Sequence, residues 1–242
     1  MKRIAVIKVG KTFDSLKSRE GDFEDWIISG MGIRKEEARI INVCDGDPFP
    51  EYREISGIVI TGSHEMVTEH QLWSEKTAAW LPEAVKGNIP ILGICYGHQL
   101  LAHAMGGKVG DNPGGREFGT VNLRPTPQAE NDPLFAGFPS SLKVHVCHSQ
   151  SVLFLPPKAL LLASSTMDPH QAFLMGECAW GIQFHPEFNA LIGIHYIETF
   201  RKELKDEGKD PDALIEKCAE SPWGGRLLSR FARIIREREE SE

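Results

Sequence analysis

Short apolar runs recur along the first hundred residues, and each is bounded by Gly, Pro or Asp. The runs are rich in Ile and Val and are too short to form helices. Such nearly continuous apolar character is typical of strands that are buried on both faces of a parallel sheet. The predicted strands cover residues 3–9, 38–44, 57–62 and 89–95.

The segments between these strands have apolar residues three or four positions apart, which predicts amphipathic helices. Within the second segment, Pro82 predicts a kink or an early end. The alternation of strand and helix predicts an α/β protein with a doubly wound, mostly parallel sheet and helices on both faces. The predicted helices cover residues 22–31, 71–87 and 97–107.

Beyond residue 107 the pattern changes to short strand-like pieces that are separated by turn-forming residues. We expect these pieces to add antiparallel strands to the first sheet or to build a small second sheet. From Ala190 onward the periodicity is helical again, and Asp210 followed by Pro211 is a typical helix start. The strand-like pieces cover residues 115–125, 142–149, 159–166, 170–176 and 179–184, and the helical ones cover 190–208, 210–220 and 224–240.

Composition narrows the possible classes of protein. The chain has 242 residues, of which 41% are hydrophobic, and this suits one large α/β domain. The net charge is -7 and the basic residues near the C-terminus are mixed with acidic ones, which disfavours binding to nucleic acid or to an anionic membrane. No apolar stretch approaches the roughly 20 residues of a membrane span.

The cysteine pattern bears on the compartment. Five cysteines are present and no CxxC occurs, which argues against a disulfide framework or a zinc ribbon. The apolar segment near the N-terminus is too short for a secretory signal, because Lys8 interrupts it. We therefore expect a reducing, cytoplasmic location.

One cysteine lies at the junction between the fourth predicted strand and the third predicted helix. Residues 93–97 read GICYG, which has the G-x-nucleophile-x-G form of a nucleophile elbow. Such a turn predicts that the Cys95 sulfur lies at the carboxyl edge of the sheet, beside a helix N-terminus that favours negative charge. A buried structural cysteine is the alternative, but the flanking glycines and elements favour a nucleophile.

A thiol nucleophile needs a base, and the segment WGIQFHPEF offers one. His185 follows an apolar run and falls at a strand end, and Glu187 lies on the same side of an extended backbone. Pro186 favours an extended conformation for His185. The alternative is a turn with an exposed His and Glu. Together with the elbow, the pair predicts a triad of Cys95, His185 and Glu187.

The segments GICYGHQLL and GIQFHPE, about 90 residues apart, resemble the class I glutamine amidotransferase family. The resemblance extends from about residue 38 to about residue 200. It implies a flavodoxin-like fold, with Cys95 as the nucleophile, His185 as the base and Glu187 as its orienting carboxylate. It also implies that glutamine or another γ-glutamyl compound is hydrolysed through a thioester, with neither cofactor nor metal.

The resemblance implies further site residues. The segment VITGS matches the family turn that supplies one oxyanion N–H group, here Gly62, and the second N–H would belong to Tyr96. Gln99 matches a glutamine that contacts substrate. The segment CHSQSV occupies the place of the loop that reads the two ends of glutamine, which adds Ser149 and Gln150 as candidates. Related enzymes often have an aspartate in this loop, so the exact γ-glutamyl substrate stays open.

Two further patterns resemble a metal site and a phosphate-binding loop, but neither is complete. His145 and Cys147 share one face of a predicted strand while His148 faces away, so the three do not form a tight set of metal ligands. The segment VGKT lacks the preceding glycine of a phosphate-binding loop, because position 5 is alanine. The sequence therefore predicts neither a metal nor an ATP site.

Residues 1–205 are expected to form the amidotransferase domain, and residues 206–242 a helical extension packed on it. The extension would either cover the sheet or form a homodimer contact. Three functions stay open. The first is release of ammonia from glutamine for a separate synthetase, the second is a freestanding γ-glutamyl hydrolase or peptidase, and the third is a catalytically silent regulatory module.

Overall fold

The computed structural model describes residues 2–240. Its strands, in chain order, are Arg3–Lys8 (β1), Ala38–Asn42 (β2), Ile55–Ile60 (β3), Ile91–Ile94 (β4), Lys108–Asp111 (β5), Glu117–Pro125 (β6), Leu142–His148 (β7), Gln150–Phe154 (β8), Leu160–Ser164 (β9), Ala172–Met175 (β10) and Ala179–Ile182 (β11). Its helices are Asp14–Glu20 (α1), Phe23–Met31 (α2), Leu72–Lys86 (α3), Tyr96–Ala104 (α4), Ala190–Thr199 (α5), Arg201–Asp206 (α6), Pro211–Glu216 (α7) and Trp223–Glu239 (α8).

One mixed sheet organises the chain, in the strand order β2-β1-β3-β4-β11-β10-β9-β6-β7. The five strands from β2 to β11 are parallel to their neighbours, whereas the pairs from β11 to β7 are antiparallel. Strands β5 and β8 form a separate antiparallel pair. The doubly wound α/β prediction is confirmed, and both expected arrangements of the later strands occur.

Strand β3 shows why the apolar runs form buried strands. Ile58, Val59 and Ile60 are all completely buried, although successive side chains of a strand point to opposite faces. Val59 packs in a cluster with Leu228 of α8, while its two neighbours pack with Leu81 of α3. Helices therefore cover both faces of the sheet, as the continuous apolar runs predict.

Some helix boundaries differ from the expectation. Helix α3 continues past Pro82 to Lys86, so the expected early end is wrong. Proline removes one backbone hydrogen bond, but Leu81 and Ala84 are fully buried, and their packing compensates for that loss. The helix predicted over 190–208 is divided at Phe200 into α5 and α6.

Helix α8 packs on the sheet. Phe231 is fully buried and its ring meets that of Trp180 in β11 edge to face, with centroids 6.1 Å apart. The division into units 1–205 and 206–242 stays a prediction, and residues 1, 241 and 242 lie outside the described part. Within the described residues, no helix combines the length and apolar character needed to cross a membrane.

Candidate active site

The turn from β4 into α4 places Cys95 at the carboxyl edge of the sheet. Cys95 precedes the first helical residue and has φ 51° and ψ −100°, a strained conformation for a residue with a Cβ. Its N–H group donates to the Ile182 carbonyl at 2.9 Å, which ties the turn to β11. The thiol is buried, with 6% exposure. The structure therefore has the elbow that the glycine spacing predicts.

The elbow glycines are needed because backbone segments pass close to one another. A Cβ at Gly97 would lie 2.6 Å from the carbonyl oxygen of Ile60 in β3, and a Cβ at Gly93 would collide with the Gly97 backbone. These contacts hold α4 against the sheet, so that its first turn lies directly behind the thiol. The N–H of Tyr96, the first helical residue, is one that a helix leaves without a partner of its own.

His185 lies beside the thiol, just after β11. Its Nδ1 lies 2.7 Å from the Glu187 Oε1, and its ring is close enough to the Cys95 sulfur for the two groups to interact electrostatically. The backbone N–H of His185 donates to the His145 carbonyl at 2.8 Å, which fixes the segment against β7. A Cβ at Gly62 would lie 3.0 Å from Cε1 of the imidazole, so Gly62 is part of the same cluster.

Two aromatic rings hold the imidazole in place. Phe188 stacks on His185 with ring centroids 4.1 Å apart, and Phe23 stacks with it at 6.1 Å. Burial alone would lower the pKa of His185, but the Glu187 carboxylate and the Cys95 sulfur raise it to about 10. A charged imidazolium is thus favoured at neutral pH, and it can act as a proton donor beside the thiol.

A cavity of about 220 Å³ opens at the thiol. It is lined by Cys95, Tyr96, Gln99, Ser149 and Gln150, which the sequence placed in the site, and also by Arg116. His185 and Glu187 lie behind the thiol rather than on the cavity wall. The predicted site residues therefore come together at one edge of the sheet.

Two of the candidates have side chains that are already hydrogen-bonded. The Gln99 amide donates to the Gln150 carbonyl at 2.8 Å and to the Gln183 Oε1 at 3.0 Å. The Gln150 amide donates to Thr68 Oγ1 at 2.8 Å and to Asp111 Oδ1 at 3.0 Å. Both glutamines therefore stabilise the cavity wall, and the Gln150 amide is hydrogen-bonded to residues of other segments of the chain.

A buried polar cluster behind this wall was not anticipated. His148 contacts Glu117 through Nε2 at 3.0 Å and the Gln150 carbonyl through Nδ1 at 2.9 Å. Ser165 and Gln171 also donate to the two oxygens of Glu117, each at 2.7 Å. These bonds fix the β7–β8 junction. Glu117 lies in the strand-like piece 115–125, whose sequence does not by itself predict the cluster.

Within residues 2–240, one group of three side chains has metal-ligand atoms within 4.8 Å of one another, namely His70, Glu75 and His103. The Glu75 Oε1 lies 2.8 Å from His70 Nδ1 and 3.1 Å from His103 Nε2. The group is partly exposed and none of its members lines the thiol cavity. It therefore contributes nothing to the chemistry at Cys95.

Comparison with known proteins gives a consistent assignment. The family description "Glutamine amidotransferase class-I" matches residues 27–202. Gamma-glutamyl peptidase 4 of Arabidopsis thaliana is 33% identical over 178 residues, which are 72% of this chain and 70% of that protein. A GMP synthase [glutamine-hydrolyzing] of Thermosipho melanesiensis is 38% identical over 229 residues, which are 91% of this chain but only 40% of that protein.

Solved structures agree on the fold. A glutamine amidotransferase from Thermotoga maritima has a TM-score of 0.76 and 24% sequence identity, and the match covers 97% of this chain and 99% of that one. A glutamine amido transferase from Methylobacillus flagellatus has a TM-score of 0.74 at 23% identity, with 96% and 95% covered. At these identities the likeness supports the flavodoxin-like fold alone.

Proposed function

The chain belongs to the class-I glutamine amidotransferase family, and we propose that it hydrolyses the amide bond of a γ-glutamyl compound through a thioester on Cys95. The observation that carries this proposal is the contact of one imidazole with both a strained thiol and a carboxylate. Glutamine is the simplest substrate of this class. The catalytically silent alternative has no support in this arrangement.

In the first half-reaction the Cys95 thiolate attacks the γ-carbonyl carbon. The N–H groups of Gly62 and Tyr96 stabilise the resulting oxyanion, and one such donor typically contributes about 10²–10³ in rate. The C–N bond breaks as His185 gives its proton to the nitrogen, and the amine leaves. The γ-glutamyl group stays on sulfur as a thioester.

In the second half-reaction the neutral His185 takes a proton from water, which attacks the thioester carbonyl. The C–S bond breaks and glutamate is released, with the thiolate and the imidazolium restored. Glu187 holds the imidazole tautomer with the proton on Nδ1 throughout. The scheme uses side chains and backbone N–H groups of this chain together with one water molecule.

The experiment compares the purified protein with its Cys95→Ala and Cys95→Ser variants, with glutamine and a γ-glutamyl tripeptide as substrates. Cys178→Ser is the matched control, because this thiol lies outside the Cys95 cavity and a serine hydroxyl can keep its hydrogen bond to the Asn88 carbonyl. We expect hydrolysis of at least one substrate, unchanged in the control and abolished in both Cys95 variants. Wild-type rates in the Cys95 variants would refute the proposal.

A second, finer candidate is supply of ammonia to a separate synthetase. It is favoured by the 38% identity to a GMP synthase over 91% of this chain. The matched part is 40% of that protein, and this candidate assigns the synthetase activity to a partner. Stimulation of glutamine hydrolysis by a co-purifying synthetase would support this candidate, and an unchanged rate would count against it.

A further inference from the structure

A second cavity, of about 850 Å³, adjoins the one at the thiol. Ser63, His64 and Glu65 line both cavities, so both spaces border the loop after β3. The remaining wall of the second cavity comes largely from residues 8–14 at the end of β1. Its volume is in the range of small-molecule sites, and release of ammonia from glutamine requires no such space.

The second cavity lies on the side from which an amine would leave. In the proposed reaction the departing nitrogen receives its proton from His185, and His185 packs against Gly62. Ser63, which begins the shared wall, follows Gly62 directly in the chain. A leaving group larger than ammonia would therefore extend from the thiol past this loop and into the second cavity.

One cation on the second cavity has no carboxylate partner among residues 2–240. Lys11 lines this cavity and is exposed, and it forms no ion pair with any described residue. The other two lysines of the wall are paired. Lys8 donates to Asp22 and Glu24, and Lys17 lies 3.1 Å from the same Asp22. Lys11 is therefore the cation available to an anionic ligand.

The backbone around Lys11 is fixed at the cavity rim. Val9 N–H donates to the Thr61 hydroxyl at 3.2 Å, and Thr12 N–H donates to Asp22 at 2.8 Å. The Thr12 hydroxyl also bonds with the Tyr196 hydroxyl at 2.9 Å. These bonds hold residues 9–12 beside the end of β3, so the Lys11 side chain extends from a rigid base.

We propose that the second cavity binds the leaving part of a γ-glutamyl peptide, whose terminal carboxylate pairs with Lys11. Three carboxylates also line this cavity, from Asp14, Asp45 and Glu65. They suit the N–H groups of a peptide and disfavour a leaving group with several negative charges. The inference rests on the proposed hydrolysis at Cys95 and names the class of substrate.

The test measures kcat/KM of wild type and Lys11→Gln for three compounds: glutamine, γ-glutamylcysteinylglycine and the C-terminal amide of that tripeptide. An ion pair at a solvent-accessible site contributes up to about 1 kcal/mol, or roughly fivefold. We expect the ratio of tripeptide to glutamine kcat/KM to fall roughly fivefold in Lys11→Gln, through KM. The preference for the free acid over its amide should vanish in the same variant.

Lys202→Gln is the matched control, since it removes the same charge from exposed helix α6. An equal change of kcat/KM for glutamine and for the tripeptide in Lys11→Gln would overturn the inference. It would also be overturned if the wild type hydrolysed glutamine but neither cleaved nor bound the tripeptide.

Calorimetric binding of the tripeptide to the Cys95→Ala protein separates this inference from the proposed reaction. Binding that weakens roughly fivefold in the Cys95→Ala/Lys11→Gln protein would support tripeptide binding in the second cavity. If the wild type then showed no turnover, only the proposed reaction would fail. Binding that is absent, or that Lys11→Gln leaves unchanged, would contradict the inference.

Discussion

Replacing Glu187 with glutamine removes one negative charge from the buried proposed triad. The Glu187 carboxylate is buried and its Oε1 lies 2.7 Å from His185 Nδ1. Glutamine has nearly the same shape, but its amide offers a neutral acceptor or a donor in place of an anion. The substitution therefore changes the charge and the tautomer of His185 with little change in packing.

The expected effect has two components. A charge-assisted hydrogen bond contributes about 1.5–3 kcal/mol, roughly 10- to 150-fold in rate if it stabilises the imidazolium of the transition state. Loss of the correct tautomer adds to this, and the corresponding aspartate-to-asparagine substitution in a serine-protease triad lowers kcat about 10⁴-fold. We therefore expect a fall of about 10²–10⁴ in kcat for Glu187→Gln.

The pH dependence should change as well. In the wild type the pKa of His185 is raised to about 10, so the alkaline limb of kcat/KM should lie near that pH. In the variant the Glu187 carboxylate no longer raises the pKa of His185, and the Cys95 sulfur is left to oppose the lowering effect of burial. The pKa of His185 should therefore fall toward its ordinary value of 6.5. The alkaline limb should move to lower pH in the variant.

The assay is a pH series of kcat/KM for wild type, Glu187→Gln and Glu177→Gln. Glu177 is 71% exposed and lies 3.9 Å from Arg238, so its substitution is a control for loss of a carboxylate at the surface. Glu177→Gln should match the wild type. A Glu187→Gln protein with normal kcat and an unshifted alkaline limb would refute the assigned role of this carboxylate.

Three other substitutions test the packing at the elbow, the packing of α8 on the sheet and the effect of the His185 charge on stability. Gly97→Ala should destabilise the protein by about 1–3 kcal/mol in urea unfolding, because its Cβ would lie 2.6 Å from a backbone carbonyl of β3. In the control Gly225→Ala the added Cβ meets nothing within 4 Å, so this substitution should be neutral or slightly stabilising. Equal losses of stability in the two variants would contradict the packing argument. Phe231→Ala should lower the free energy of unfolding by about 3–5 kcal/mol and leave a single cooperative transition. The control Leu191→Ala removes an exposed side chain and should change that free energy little. A separate early transition would show that α8 folds apart from the sheet. The raised pKa of His185 stabilises the folded state fully below about pH 6.5, and this contribution is lost as pH rises through about 10. The stability advantage of wild type over His185→Gln should therefore shrink over that interval, and an advantage that grows would contradict the sign.

The predicted elements with strong local signals agree with the structure. Strands β1, β2 and β4 each lie within a predicted apolar run, and β3 begins and ends two residues before its run of 57–62, because burial on both faces leaves a continuous pattern in the sequence. The elbow was predictable for a related reason. Gly93 is required by the backbone of Gly97, within a few residues of Cys95, and Gly97 by the neighbouring strand β3, so both glycines mark the close approach of this turn to the sheet.

Features that depend on distant segments were not predictable. The imidazole of His185 is stacked by Phe23, which is more than 160 residues away in the chain. The hydrogen bonds from the Gln150 amide to Thr68 and Asp111 join segments 82 and 39 residues apart in the chain. Helix α1 was missed because it has only seven residues and buries one side chain, which gives no measurable period.

Detection of the γ-glutamyl group on Cys95 tests the central claim most directly. Wild-type protein is quenched in acid during turnover of a γ-glutamyl substrate, digested and analysed by mass spectrometry, with Cys95→Ala treated in parallel. We predict a γ-glutamyl thioester on the peptide that contains Cys95, in the wild type only. Turnover without this adduct, or an adduct on Cys147 in place of Cys95, would contradict the account.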